Sequence, residues 1–489
     1  MSKIGFDSDK YLQLQSQHIR ERIAKFGKLY LEFGGKLYDD YHASRVLPGF
    51  APDNKLRMLE QLKDQAEIVI VINADAIEQR KMRGDLDISY DADVLRLKGL
   101  LEGRGFYVGS IVITQYTGQP AALRFRQKLD SMGIKAYFHY VIEGYPANVP
   151  LIVSDEGYGK NDYIETSRDL IVVTAPGPGS GKMATCLSQL YHENKRGLKA
   201  GYAKFETFPV WNLPLSHPVN LAYEAATVDL DDVNMIDPFH FEAYGKTTVN
   251  YNRDVEVFPV LQAILEGIMG ECPYKSPTDM GVNMVGFAIS DDEACREASK
   301  QEIIRRYYQT AVAVKRGTSA KSELVKEELL LSKAGCKPEE RLVTGYADAK
   351  AAESNGPAVA IELPDGRVVT GRTNDLMGAA SSCLMNTLKT LAGIPDEEKL
   401  VAESAIIPIQ TLKTDYLHGK NPRLHTDETL IALSVSAATN ADAKKAMDQI
   451  PALYGAQAHS TVMLSHVDEA LFKKLGVMLT ETPVMESRD

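Results

Sequence analysis

The strongest constraint on the fold of this chain is an alternation. Apolar runs at KLYLEF (28–33), EIVIVINAD (67–75), GSIVITQY (109–116), KAYFHYVI (135–142), DLIVVTAP (169–176) and KAGYAKF (199–205) read as strands. Segments of helical periodicity lie among them, at 9–26, NKLRMLEQLKDQ, DADVLRLKGLLEGRG, AALRFRQKLDSMG and from about Met183 to Lys195. Strands alternating with helices of 10–15 residues imply βαβ units and a parallel sheet. The expected fold class is therefore α/β, with a doubly wound, mostly parallel sheet in a large N-terminal domain and a smaller α/β C-terminal domain.

The first domain is expected over 1–333, with a charged helical extension at about 289–333. The stretch AGCKPEERL opens a linker at 334–345, and the smaller domain fills 346–489. Within it, PAVAIELPDGRVVTGR (357–372) reads as a hairpin turning at Asp365-Gly366. NDLMGAASSCLMNTLKTLAGI reads as a helix, whose small residues suit either a homo-oligomer contact or the domain's own core. ETLIALSVSAA and AHSTVMLS read as strands, each followed by a helix.

The net charge of -11 argues against nucleic-acid and membrane partners, since neither surface attracts an acidic chain. Five scattered cysteines without a CxxC read as reduced thiols. With no signal-peptide pattern at the N-terminus and no apolar run of membrane length, the expected location is cytoplasmic. HExxH, GxSxG and GxGxxG are absent, so a zinc or serine peptidase has no motif to rest on.

The chemistry concentrates at IVVTAPGPGSGKMAT (171–185). Gly177, Gly179 and Gly181 free the backbone, Ser180 lies between the last two, and Lys182 follows at once. The helix start adds partial positive charge, and together these form an anion nest. A Walker A loop has glycine six residues before its lysine and a hydroxyl after it. Here Pro176 and Met183 occupy those positions, and Thr185 is the next hydroxyl. The loop fits a phosphate site in a doubly wound sheet better than a P-loop opening its own domain.

Other candidates line the expected rim. GGKLYDDYHASRVLPGF offers Lys36, His42 and Arg45, and SDEGYGKNDYIET offers Lys160. The loop-rich segment 206–260 follows Lys204 and includes Glu206, Trp211 and His217. DLDDVNMIDPFH supplies Asp229, Asp232 and Asp237 as hard oxygen ligands for Mg²⁺, together with His240. Arg253 and Lys275 are further phosphate contacts. The expected ligand is ATP or another phosphorylated small molecule. Lys182 would stabilise phosphate charge, and His42, His217 or His240 would act as acid or base. These roles describe a phosphate-dependent transferase or ligase; a non-catalytic phosphometabolite sensor or assembly protein is the alternative.

Four long motifs, TAPGPGSGKMATCLSQLYHENKRG, EFGGKLYDDYHASRVLPGF, KFETFPVWNLPLSHPVNLAYEAA and SPTDMGVNM, carry a resemblance. The chain resembles, along its whole length, a bacterial family classed as a domain of unknown function and sometimes labelled ATP-dependent peptidase. The resemblance implies a large N-terminal domain, a smaller C-terminal one and a bacterial cytoplasm, and it assigns no catalytic residues.

Overall fold

The structure, a computed structural model, describes residues 3–35, 37, 38, 40–83, 86 and 88–486. Packing divides the chain into two compact units, one running from Ile4 to Ser299 and the other from Lys300 onward. The boundary falls inside a long helix, Asp292–Arg316, and so precedes the 334–345 segment where composition places a linker.

Seven strands of the first unit form one sheet: β1 (Leu29–Phe33), β2 (Ala66–Asn73), β3 (Tyr107–Tyr116), β4 (Ala136–Tyr140), β5 (Leu170–Thr174), β6 (Gly201–Phe205) and β7 (Gly281–Val282). Their spatial order is β7-β6-β1-β5-β2-β3-β4, and every adjacent pair is parallel. The six apolar runs thus become neighbours as expected. β1, β5 and β6 are buried at every position, as strands covered on both faces must be.

Three helices position the site: α1 (Ser8–Phe26), α2 (Lys182–Lys195) and α3 (Asn252–Met269). Gly201 opens β6 without a side chain because the Phe26 ring of α1 fills that space. Successive strand residues point to opposite faces, so Tyr202 and Lys204 face away from α1. Cys186 of α2 lies on their side, and α3 packs against α2.

Parallel strands send all their following segments to one rim. β1 leads towards β2 on one side, whereas its neighbour β6 leads to β7 on the other. The connections diverge there, and the carboxyl ends of β1 and β6 flank a topological switch point, where open α/β sheets place ligands.

The second unit holds a four-stranded mixed sheet of β8 (Ala358–Glu362), β9 (Val368–Arg372), β10 (Gln457–Ser460) and β11 (Met478–Glu481), in the order β9-β8-β10-β11. The β8–β9 hairpin turns at Gly366, whose φ is 85°. The small-residue helix Ala379–Ala392 is buried in this unit's own core, and a Cβ on Gly371 would collide with the backbone of Cys383.

Two strand expectations are corrected here. ETLIALSVSAA lies mostly within a helix, Thr426–Ser436, and AHSTVMLS keeps a strand only to Ser460. The helix is nucleated by its start: Glu428 accepts from the His425 N–H at 2.8 Å, and Asp468 accepts from the Thr426 N–H at 2.8 Å. These bonds satisfy amides that a helix otherwise leaves open, and they override β-branched propensity.

The same corner makes this unit sensitive to pH. The hydrogen bond to Asp468 Oδ2, at 3.0 Å, raises the His425 pKa above its ordinary value. Burial pushes the Asp468 carboxyl up, but bonds from His425, the Thr426 N–H and Ser465 bring it below the carboxylate range. A raised histidine stabilises fully below its unfolded value of about 6.5, and its contribution is lost as pH rises through the folded value. A lowered aspartate stabilises above about 3.9, and its contribution is lost as pH falls. Scanning calorimetry should therefore show the second unit's melting temperature falling as pH rises above about 6.5. His425→Gln should make that fall shallower, the rest being carried by Glu327 and Glu481, whose carboxyls burial pushes up to about 8; equal slopes in the two proteins would refute the assignment.

Candidate functional site at the carboxyl rim

β5 ends at Thr174, and the chain turns through the glycine loop into α2. Gly179 and Gly181 have φ of 71° and 82°, in the left-handed region that favours glycine. Gly177 is required by close approach, since a Cβ there would run into the Tyr90 hydroxyl. Hydrogen bonds hold the loop by its carbonyls. Thr114 Oγ1 donates to Ser180 O at 2.7 Å, and Ser180 Oγ to Gly177 O at 2.6 Å. Thr185 Oγ1 donates to Gly181 O at 2.9 Å. The amides are left over: those of residues 179–184 have no hydrogen-bond partner among the described residues. Gly181 brings no capping side chain to α2. Lys182 is partly exposed, and its ammonium has no hydrogen bond or ion pair among the described residues.

A buried charge cluster lies on the same rim. Val173 of β5 is in register with Glu32 of β1, and Glu32 with Lys204 of β6. Two strand spacings, about 10 Å, therefore separate the end of β5 from Lys204. Glu32 accepts from the Tyr202 hydroxyl at 2.6 Å. Lys204 Nζ lies 2.9 Å from Glu206 Oε1 and also meets Asp254 and the Tyr251 hydroxyl at the start of α3. Burial opposes the Lys204 ammonium, but Asp254, Glu206, Tyr251 and Glu32 hold its pKa well above the ordinary value. Burial pushes the Glu206 carboxyl up to about 8; Lys204 opposes the rise and Asp254 adds to it. The cluster reaches α2 through Cys186, whose thiol is pushed up by burial and by Glu32 and pulled down by Lys182.

The loop after β1 closes beside this cluster. Lys55 and Asp40 form a buried pair at 2.8 Å. His42 meets the Phe208 ring edge-on, with centroids 5.1 Å apart, and Arg45 is half-buried in the same short helix. Lys36 lies outside the described residues.

Other expected site residues are engaged elsewhere. Asp229 is exposed, Asp232 is paired with Arg253 at 2.7 Å, and Asp237 caps a helix by accepting from the His240 N–H at 3.0 Å. No three His, Cys, Asp or Glu side chains among the described residues could hold a metal ion. Of the expected trio, Asp232 and Asp237 are thus used for pairing and capping, and Asp229 is left exposed. Both ring nitrogens of His217 are occupied, by the Val219 N–H at 3.2 Å and Asp292 at 2.9 Å, and His240 Nδ1 meets Ser276 at 2.9 Å. Lys160 is exposed and paired with Glu156 at 2.8 Å, and the exposed Lys275 lies over the Tyr244 ring. In the second unit, Ser465 and Asp468 both approach Nδ1 of His425, at 3.2 and 3.0 Å. A hydrolytic triad needs them on opposite ring nitrogens. Among the described residues no helix is long and apolar enough to cross a membrane.

Sequence patterns do not mark Glu32, Tyr251 and Asp254 as site residues. Glu32 has only the signal it shares with Lys204, a charge near the end of a buried strand, in KLYLEF and KAGYAKF, and Tyr251 and Asp254 have none.

Comparison with known proteins agrees with the resemblance in the sequence. Residues 4–335 match the model described as domain of unknown function DUF1846, N-terminal, and residues 339–489 match its C-terminal counterpart. A UPF0371 protein of Streptococcus thermophilus is 60% identical over 484 residues, covering 99% of this chain and 98% of the relative. A UPF0371 protein of Streptococcus sanguinis is 59% identical over 487 residues, covering 99% of each chain.

The charge cluster yields a stability prediction. Lys204→Met leaves Glu32, Glu206 and Asp254 without their cation, and uncompensated buried charge costs about 3–5 kcal/mol. Lys160→Met, at an exposed pair, should change stability by no more than about 0.5 kcal/mol. Denaturant titration of both variants compares the two, and near-equal midpoints would mean the cluster carries no such charge.

Proposed function

We propose that this chain, which belongs to the DUF1846 family of bacterial proteins, binds a phosphorylated small molecule at the carboxyl rim of its parallel sheet. One observation carries the reading: six consecutive amides, residues 179–184, stand without partners at the start of α2. Such amides and the helix dipole both favour an anion. The free ammonium of Lys182 adds the countercharge a phosphate needs, locally reversing the acidic character of the whole chain. The ligand class is a nucleotide such as ATP or a sugar phosphate, and any magnesium would arrive with it. Phosphate held beside titratable side chains suits transferase or ligase chemistry.

A thermal-shift screen of inorganic phosphate, ATP and sugar phosphates, with and without Mg²⁺, identifies the ligand. Lys182→Ala should then weaken its binding by about 1.5–3 kcal/mol, the range for hydrogen bonds to charged groups, while the fold is kept. Titration calorimetry measures this, and unchanged affinity would reduce the loop to a turn.

A further inference from the structure

We propose that Glu206 is a catalytic acid and base for the ligand of this rim, with Lys204 as the group that receives its charge. The inference rests on the phosphate reading above and adds to it a reaction class, proton transfer to an oxygen of the phosphorylated substrate.

Four features of the fold converge on this carboxyl. Glu206 follows the last residue of β6, at the switch point where the connections of β1 and β6 diverge. Gly34 and Gly35 follow β1 on the rim between the glycine loop and Glu206, and the Lys55 ammonium lies 3.4 Å from Gly34 O. Gly34 passes so near β6 that a Cβ would lie 2.6 Å from Phe205 O and 4.0 Å from Glu206 Cγ. On the far side Trp211 and Glu206 converge above Gly281. A Cβ there would overlap the indole and lie 3.5 Å from Glu206 Oε2. The buried Trp211 Nε1–H has no partner among the described residues, and a buried donor without a partner calls for a ligand atom or water.

Every packed element contributes a charged or titratable neighbour. Lys204 on β6, Asp254 and Tyr251 at the start of α3, and Tyr223 on the helix Pro218–Ala226 act on Glu206 directly, whereas Glu32 on β1 acts through Lys204, and Tyr202 through Glu32. Burial and the Asp254 carboxylate hold the Glu206 pKa above its ordinary value against the pull of Lys204, which favours the protonated acid. In the forward step the Glu206 O–H bond breaks as an O–H bond forms on an ionised oxygen of the substrate, and the electron pair stays on the carboxylate, which the Lys204 ammonium stabilises. In the reverse step the same proton returns from that oxygen to Glu206. A buried acid with a pKa near the working pH suits this exchange.

The test separates this inference from the binding reading. Infrared difference spectra between pH 6 and 10 should show a protonated-carboxyl band that titrates near pH 8 and is missing in Glu206→Gln. Titration calorimetry with ATP and inorganic phosphate, in two buffers of different ionisation enthalpy, then counts protons exchanged on binding. The wild type should exchange protons around pH 8. Glu206→Gln should bind with affinity within about threefold yet lose the part of the exchange that titrates near pH 8, leaving only that of the phosphate itself, and Glu206→Asp should restore it. Binding with the same proton count in wild type and Glu206→Gln overturns the catalytic assignment and leaves the phosphate site standing. A wild type that binds neither probe overturns the phosphate reading and the assignment with it, whatever the infrared band shows.

Discussion

Burial of the parallel sheet on both faces is the constraint from which the rest of the first unit follows. A strand with no solvent-facing side has to be apolar along its length, and parallel neighbours have to be joined by crossovers. Every segment that leaves a strand at its carboxyl end then starts from the same rim. The glycine loop, the Gly34–Gly35 pair and the Glu206–Trp211 segment belong to β5, β1 and β6, and they meet because those strands are adjacent. The order that puts β1 between β5 and β6 also creates the divergence of connections at β1 and β6. Site and sheet therefore have one cause.

Charges in such a place are costly. A carboxylate taken out of water loses several kcal/mol of solvation, and a paired lysine returns that only with good geometry. An apolar cluster at the ends of β1 and β6 would stabilise the unit at least as well. The chain instead keeps Glu32, Lys204, Glu206 and Asp254 together, with Tyr202, Tyr223 and Tyr251 around them. Lys204 and Glu206, two buried groups with displaced pKa values in one rim, make it a functional-site candidate. The glycine loop beside them has the opposite electrostatic character, with open amides and a free lysine. An acidic, proton-holding cluster about two strands from an anion nest gives the rim two poles. The ligand proposed above, with phosphate at one end and a proton-accepting oxygen at the other, would complement both.

The acidic residues outside the rim show how context redirects the same chemistry. Asp237, Asp232 and Asp468 have residue types suited to metal or catalysis, yet each is engaged by helix amides, an arginine or a histidine. Their hydrogen bonds secure short helices within loop-rich stretches, which few apolar contacts would otherwise hold.

What the sequence by itself determined is local: the six apolar runs, the helices between them, the parallel sheet they require and the glycine-rich turn ahead of α2. Each depends on residues close together in the chain, where periodicity and backbone freedom act directly. The helix at 426–436 escaped because its start is fixed by Asp468, 42 residues from Thr426. Asp232, Asp237, His217 and His240 are engaged by helix amides and side chains, which sequence does not reveal, because a carboxylate or imidazole looks the same there whether it caps a helix or faces a ligand. Only the tertiary structure joined Glu32, Lys204, Glu206 and Asp254. That joining depends on strand order, which is set by how helices cover the two faces, and no spacing along the chain records it.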